Sequence, residues 1–376
     1  VYYTNNVAGA TAKVGADFVV NAVQIGGYKP CTVTDFEIPQ KYGLRQTIAD
    51  TLGIGGIFRA LRTIPVLEDF VHDMQETCPS ALLLNYTNPM AMLTGYLQKK
   101  MGVKVVGLCH SVQCCVDGLF QSLGMEEYRA GCRWKIAGIN HQAWLLEICD
   151  ENGQDLYPEI KRRSLGGEYR EKMEWDLVRH DIMHRFGYYN TESSEHTAEY
   201  NPYYIKKNYP ELIERYKIPL DEYPRRCEKQ IADWAELREK CIRKDVEHEY
   251  SREFAAPIIR AMLTDQPFRV HGNVLNKNLI TNLPQDACVE VPCMVDRNGI
   301  NPCYVGALPE QCAALNRTNI NVQNMTIEAA SQRKKELVYM AAYLDPHTAA
   351  ELDLDSIRSL CDDMFEAHAG WIPKYN

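Results

Sequence analysis

The sequence is as informative in what it omits as in what it holds. None of its apolar stretches approaches the roughly 18 residues of a membrane-spanning helix, so no membrane partner is expected. Lys and Arg total 41 against 50 Asp and Glu, a net charge of −9, and no basic block reverses that balance, so a nucleic-acid partner is not expected either. There is no internal repeat, no low-complexity linker and no secretory leader, which gives a cytoplasmic protein as the expectation. A zinc-type CxxC pair is also missing, although the chain holds 14 cysteines. They are scattered along its length, and Cys109, Cys149 and Cys293 fall inside strand-like runs. Reduced, buried thiols are the expectation. Finally, Val1–Gly15 lacks the strand and G-x-G-x-x-G turn with which a dinucleotide fold opens.

What is present centres on residues 81–147. Ala81–Leu84 is a short apolar run ending at Asn85, as a buried strand requires. Asn88 before Pro89 reads as a helix N-cap followed by N1, and Met90–Lys100 as the helix, closed by Gly102. Val103–Leu108 is a second strand and carries Cys109 and His110 at its carboxyl end. Ala16–Val23 is a third, with Gln24 at its end. Between them, Gly53, Gly55 and Gly56 lie in a long connection expected to hold a helix from near Phe58, with Val66–Thr77 as the amphipathic crossover. The result is a Rossmann-like parallel sheet whose N-terminal part is expected to be missing from the sequence. Lys135–Asn140 and Ala143–Cys149 are strands around His141. Helices are expected near Trp175–Arg185, Glu228–Arg243, Arg252–Leu263, Thr326–Leu344 and Leu354–Ala367, with a strand at Val289–Val295 turning at Asn298-Gly299. The fold class is therefore α/β, with residues 1–133 as the Rossmann-like domain and 134–376 as an α+β domain.

Ligands of such sheets bind beyond the carboxyl ends of the strands, where Asn85, Asn88, Cys109 and His110 collect. A thiolate and an imidazole, Cys109 and His141, would suit a catalytic divalent metal. A buried thiol and a hydrogen-bonded histidine would leave the same trace. His110 would lie near such a metal and could move a proton. Glu195, His196, Glu199 and Tyr200 crowd a polar loop at 187–204, which four neighbouring tyrosines (Tyr188, Tyr189, Tyr203, Tyr204) should partly bury.

The strings GLRQTIADTLGIGGIFRALRTIP, LLNYTNPMAM, VGLCHSVQ, AGINHQAW, TESSEHTAEY and NLPQDACVEVPC resemble, in order, those of the NAD-dependent family 4 glycoside hydrolases, and within them the α-galactosidases. The resemblance runs from Asp17 to Trp371. It implies an exception to two-carboxylate glycosidase chemistry: oxidation of the sugar at C3 by NAD, loss of the C2 proton, elimination of the aglycone, water addition and return of the hydride. A divalent metal, Mn²⁺, would hold the sugar hydroxyls. Carried over by position, Cys109 and His141 are metal ligands. His110 is the proton donor to the leaving oxygen, and Cys109-His110-Ser111-Val112 is the string that goes with α-galactosidases. Tyr200 is the C2 base, with Tyr203 and His196 as alternatives. Asn88 and Asn140 are substrate-binding, while Asn21, Gln24 and Asn85 face NAD. The implied substrate is an α-galactoside, and the implied assembly a homodimer or homotetramer.

Other readings stay open on the same residues. An α-galacturonidase or α-glucuronidase would need an extra cation for its uronate. An NAD-dependent 2-hydroxy-acid dehydrogenase would need no Cys/His metal pair. A cofactor-deficient, inactive remnant would follow from the absent Gly-rich turn. Cys114-Cys115 also stand where the family pattern has Gly-Thr, and altered packing is expected there.

Overall fold

The structure is a computed structural model, and it describes residues 15–243, 245 and 253–376. The sequence expectation for Val1–Gly15 therefore falls almost wholly outside the described residues, as does the start of the helix expected from Arg252.

The strands are β1 (Phe18–Asn21), β2 (Leu82–Asn85), β3 (Val105–Gly107), β4 (Arg133–Ile139), β5 (Gln142–Cys149), β6 (Tyr189–Asn190), β7 (Phe268–Leu275), β8 (Cys288–Asp296) and β9 (Gly299–Pro302). They join one mixed sheet in the order β1-β2-β3-β7-β8-β4-β5-β6, with β9 on β8. The first three are parallel, in a register that sets Asn21 beside Asn85 and Asn85 beside Gly107. Their carboxyl ends are thus level, as the apolar runs require. β3 then meets β7 antiparallel at Gly107 and Asn273. Only glycine fits at that joint, because a Cβ on residue 107 would fall 2.6 Å from Thr94 Oγ1 and 2.8 Å from Asn273 Cβ.

Several local expectations need correction. The glycine-rich stretch is not a loop, since Gly53–Thr77 is one continuous helix with Pro65 inside it. Gly55 and Gly56 are there for packing: Cβ atoms would meet Ala49 O at 2.5 Å and the Thr51 carbonyl carbon at 2.7 Å, so segment 49–51 lies directly against the helix start. Pro89, not Asn88, caps the helix Met90–Tyr96, and the Asn88-Pro89 bond is cis. The run at 187–204 contains the helix Ser194–Tyr200, which buries Glu199 and Tyr200. Tyr189 and Tyr204 are buried and Tyr203 is exposed. The expected helix 326–344 is two, Glu310–Gln332 and Lys335–Leu344, broken at Arg333 with φ 53°. Leu354–Ala367 is helical as read, and the Asn298-Gly299 turn joins β8 to β9. Cys114 and Cys115 begin the helix Ser111–Leu123, with only Cys115 in the core.

Two apolar cores flank the sheet. One gathers around Trp144, Phe120 and Ile136, the other around Phe58, Leu61 and Leu93. The second contains a buried ionic knot. Arg62 donates to both Asp35 oxygens, at 3.1 and 2.6 Å, and His368 Nε2 meets Asp35 Oδ1 at 3.0 Å. Three helices, Val33–Lys41, Gly53–Thr77 and Leu354–Ala367, are held by this one carboxylate. Removing it strands a buried guanidinium, so Asp35→Ala should lose about 3–5 kcal/mol of unfolding free energy in urea titration. A loss below about 1 kcal/mol would show that the knot is not what joins the helices.

Candidate active site

β4 and β5 are joined by a two-residue turn, Asn140-His141, closed by the pairing of Ile139 with Gln142. His141 takes the left-handed conformation there, with φ 61°. This turn lifts the imidazole to the level of Cys109, two residues past the end of β3. β6 pairs with β5 at Trp144 and Asn190, which carries Glu192 back beside the same turn, also with positive φ (74°). The ligand atoms of Cys109, His141 and Glu192 all lie within 4.8 Å of one another, and His141 Nε2 is 3.6 Å from Glu192 Oε2. Sulfur, imidazole nitrogen and carboxylate oxygen together form a donor set for a divalent metal.

Electrostatics suit a cation. Burial alone would raise the Glu192 carboxyl, but His141, His196 and Arg179 outweigh it and hold it below the ordinary carboxylate range. Burial, and next the charge of Glu192, push the Cys109 thiol up to about 11. A metal bound to the sulfur reverses that sense, because it stabilises the thiolate directly. Glu290, deeper in the sheet, is buried and pushed well above the carboxylate range, by burial first and then by Cys109. The two carboxyls near this thiol are thus shifted in opposite directions.

Around the donor set, polar atoms are left open. Both side-chain atoms of Asn140, Asn88 Oδ1 and Asp50 Oδ1 are buried without a hydrogen-bond partner, and Asn88 Nδ2 donates to Asp50 Oδ2 at 3.2 Å. Amide and carboxylate atoms of this kind are what sugar hydroxyls pair with. Tyr200 is fully buried, with its ring 6.3 Å from that of His141. Burial raises its phenol well above 10, and Asp50, Cys109 and Glu199 push it further, while Thr51 opposes. The His196 ring is 4.2 Å from His141, and burial followed by His141 drives its pKa down to about 3, so it is neutral and weakly basic. Tyr203 instead faces solvent against Phe186.

Residues at the parallel strand ends are more committed. Asn21 Nδ2 donates to Asn85 Oδ1 at 2.8 Å and to Thr87 Oγ1 at 3.1 Å. Asn85 Nδ2 is taken up by Thr87 O and Thr94 Oγ1, so Asn85 ties strand to helix. Asn21 Oδ1 is left open and Gln24 is exposed, donating to Thr32 Oγ1. His110 stands on the open rim, half-exposed.

Sequence reasoning missed Glu192 and Asp50. Glu192 opens TESSEHTAEY, but only the two-residue strand β6 brings it to His141, and so short a strand leaves no periodic signal. Glu199 stands in the same string, but its task has no local signal. It accepts hydrogen bonds from the backbone N–H groups of Thr47, Ile48 and Ala49 at 2.6, 3.0 and 3.1 Å, which clamps the segment carrying Asp50 and Thr51 onto the helix carrying Tyr200.

A Rossmann-like sheet with a Cys-His-Glu donor set beyond its strands defines the class, an α/β protein with a candidate metal centre. Comparison with known proteins narrows it. Residues 3–125 match the family 4 glycosyl hydrolase model and residues 136–348 match the model of that family's C-terminal domain. The α-galactosidase of Bacillus subtilis (strain 168) is 61% identical over 361 residues, covering 96% of this chain and 82% of that protein. A crystal structure of a Bacillus subtilis protein assigned as a glucosidase superposes with a TM-score of 0.83 at 26% identity, over 96% of this chain and 85% of that one. A 6-phospho-α-glucosidase from gut microorganisms, in complex with NAD and Mn²⁺, gives a TM-score of 0.80 at 21% identity, over 100% and 85%. The chain belongs to the family 4 glycoside hydrolases.

The Glu199 clamp has a pH signature. Burial lifts its pKa to about 7, against the three N–H donors that lower it. A carboxyl raised in the fold binds its proton more tightly there than in the unfolded chain. Its stabilising share is therefore complete below about pH 4.5 and lost as pH rises through about 7. Glu199→Gln should remove roughly 3 kcal/mol of that decline between pH 4.5 and 8, measured by denaturant unfolding across the range. An unaltered pH profile in the variant would mean that the carboxyl ionises normally.

Proposed function

We propose that the protein hydrolyses α-galactosides by oxidation-assisted elimination, in the cytoplasm and as a homo-oligomer. The observation that carries this reading is the meeting of Cys109, His141 and Glu192 within 4.8 Å, with the buried Tyr200 beside them. The 61% identity to an α-galactosidase supports the substrate class. Cys109, His141 and Glu192 would hold Mn²⁺, and the open Asn21 Oδ1 and exposed Gln24 lie where NAD would meet the sheet. When bound, these groups would supply hydride exchange at C3 and a positive charge at the sugar oxygens.

The protein's own part is proton handling and orientation. Asn88, Asn140 and Asp50 have the unpaired atoms to fix the galactose hydroxyls. Tyr200 takes the C2 proton. Burial and nearby charges hold its phenol protonated in the bare protein, and a cation held by the neighbouring donor set would favour the phenolate form that can accept this proton. His110 hands a proton to the departing oxygen. Residues 1–133 are read as the cofactor half and 134–376 as the half for substrate, metal and assembly. The helix Glu222–Arg243 supports assembly, since it leaves Ile231, Trp234, Leu237 and Ile242 exposed. Among the described residues no helix is long and apolar enough to cross a membrane.

One observation favours a second reading, a uronide. Arg59 is buried beside Asp50, and its hydrogen bond to Tyr223 Oη is long, at 3.4 Å. Such a guanidinium could take a sugar carboxylate. Assayed under identical NAD and Mn²⁺, α-galactosides should be turned over faster than α-galacturonides. The opposite ranking would transfer the function to the uronide.

The elimination route has its own check. Turnover in D₂O should place deuterium at C2 of the released galactose, and Tyr200→Phe should suppress both label and hydrolysis, by on the order of 100-fold or more. Hydrolysis with no C2 label would remove the base role from Tyr200 and the mechanism with it.

A further inference from the structure

Next to Cys109, His110 is held by contacts that lie outside the metal donor set. His110 Nε2 lies 2.9 Å from Glu253 Oε1. The Tyr86 ring stacks on the imidazole at 6.0 Å and 28°, and the Phe254 ring meets it edge-on at 5.5 Å and 74°. Tyr86 is fixed in turn: its hydroxyl accepts the backbone N–H of Ala255 at 3.1 Å, and its ring packs on Phe254 at 5.6 Å. Three consecutive residues, Glu253, Phe254 and Ala255, therefore grip the pair Tyr86–His110 by a carboxylate, a ring edge and an amide.

The grip is not there for stability. The side chains of His110 and Glu253 are each 51% exposed, and an ion pair so open to water adds little to folding. What it fixes is orientation. A half-exposed imidazole can flip and exchange its two nitrogens, whereas a carboxylate on one nitrogen and rings on two sides select a single pose. With Nε2 engaged, Nδ1 is the nitrogen left to act.

We propose that Glu253 is the positioning residue for aglycone departure, holding His110 so that its Nδ1 delivers the proton to the leaving oxygen. This rests on the acid role given to His110 above. In that step the electron pair freed by loss of the C2 proton becomes the C1–C2 double bond. The C1–O bond breaks with its pair on oxygen, and the proton of His110 Nδ1 completes the alcohol. His110 is left neutral, still bound to Glu253 through Nε2–H, and water restores its proton. Nothing is oxidised or reduced in the step.

Leaving groups separate this role from a structural one. A sugar or alkyl alkoxide needs the proton in order to depart, whereas nitrophenolate departs without it. In the full chain with NAD and Mn²⁺, Glu253→Ala should lower kcat/KM for an α-galactosyl disaccharide by on the order of 10- to 100-fold, and for p-nitrophenyl α-galactoside by less than about 3-fold. Glu253→Gln, whose Oε1 still accepts from Nε2–H, should recover most of the loss. His110→Ala should show the same preference for the activated substrate, and more strongly. Equal losses on both substrates for Glu253→Ala and Glu253→Gln would make Glu253 a structural residue and overturn the inference, as would unchanged kinetics. If His110→Ala is selective and Glu253→Ala is not, only the positioning role falls. If His110→Ala itself lacks selectivity, the acid assignment falls and this inference falls with it.

Discussion

The site depends on one steric constraint, the absence of a side chain at Gly107. There the parallel strands β1–β3 meet the antiparallel strands that follow, and Asn273 of β7, Thr94 and Met90 press against the bare Cα. A methyl group would drive β3 from β7 by more than packed side chains can absorb. Were that joint to open, Cys109, two residues on, would move away from His141, which is anchored through β4 and β8 on the far side of the joint. The metal donors belong to two different halves of the sheet, so their spacing is a property of the joint rather than of either half.

How much of this could be read beforehand follows from the range of each interaction. Strands β1, β2 and β3 were legible because each is a short apolar run with polar residues at its end, and local burial patterns suffice for that. Cys109 and His141 were legible as residues at strand ends for the same reason, while their pairing as metal ligands came from the family resemblance. Glu192 was not, because it is placed by a two-residue strand that pairs Tyr189 with Leu145 and Asn190 with Trp144, reinforced by the Ala143 N–H donating to Thr191 Oγ1. Asp50 was hidden because the glycines before Phe58 read as part of a long connection rather than as the start of the helix Gly53–Thr77. Their lack of side chains serves close contact between a helix start and the segment bearing Asp50, which is a tertiary fact with no local signature. The fold class was carried by local pattern, and the closing of the site by contacts distant in sequence.

Charge accounts for why the cluster stays assembled. Glu192, ionised, faces two imidazoles and the guanidinium of Arg179, which is itself stacked between Trp175 and Tyr189 and bound to Asp176. That buried cation fixes the carboxylate of Glu192 electrostatically without touching the donor set, since its own hydrogen bond goes to Asp176. Burial and the neighbouring thiol push the Glu290 carboxyl the other way, toward its neutral form, which lessens repulsion with Glu192.

The same reasoning explains why Tyr200 rather than His196 suits proton abstraction, although His196 lies closer to His141. Both are buried, and both have their charged forms disfavoured by it. A cation arriving at Cys109, His141 and Glu192 acts on them in opposite directions. It disfavours the imidazolium that His196 would become on accepting a proton, and favours the phenolate that Tyr200 must be in order to accept one. On the function proposed above, the phenol that stays protonated in the bare protein would thus become the available base once a metal is held. The Glu199 clamp, by tying the Tyr200 helix to residues 47–49, keeps that phenol and the segment bearing Asp50 on one piece. On the same proposed function, base and substrate contacts would then move together relative to the metal donors, and the clamp as much as the sheet would set the geometry of proton transfer.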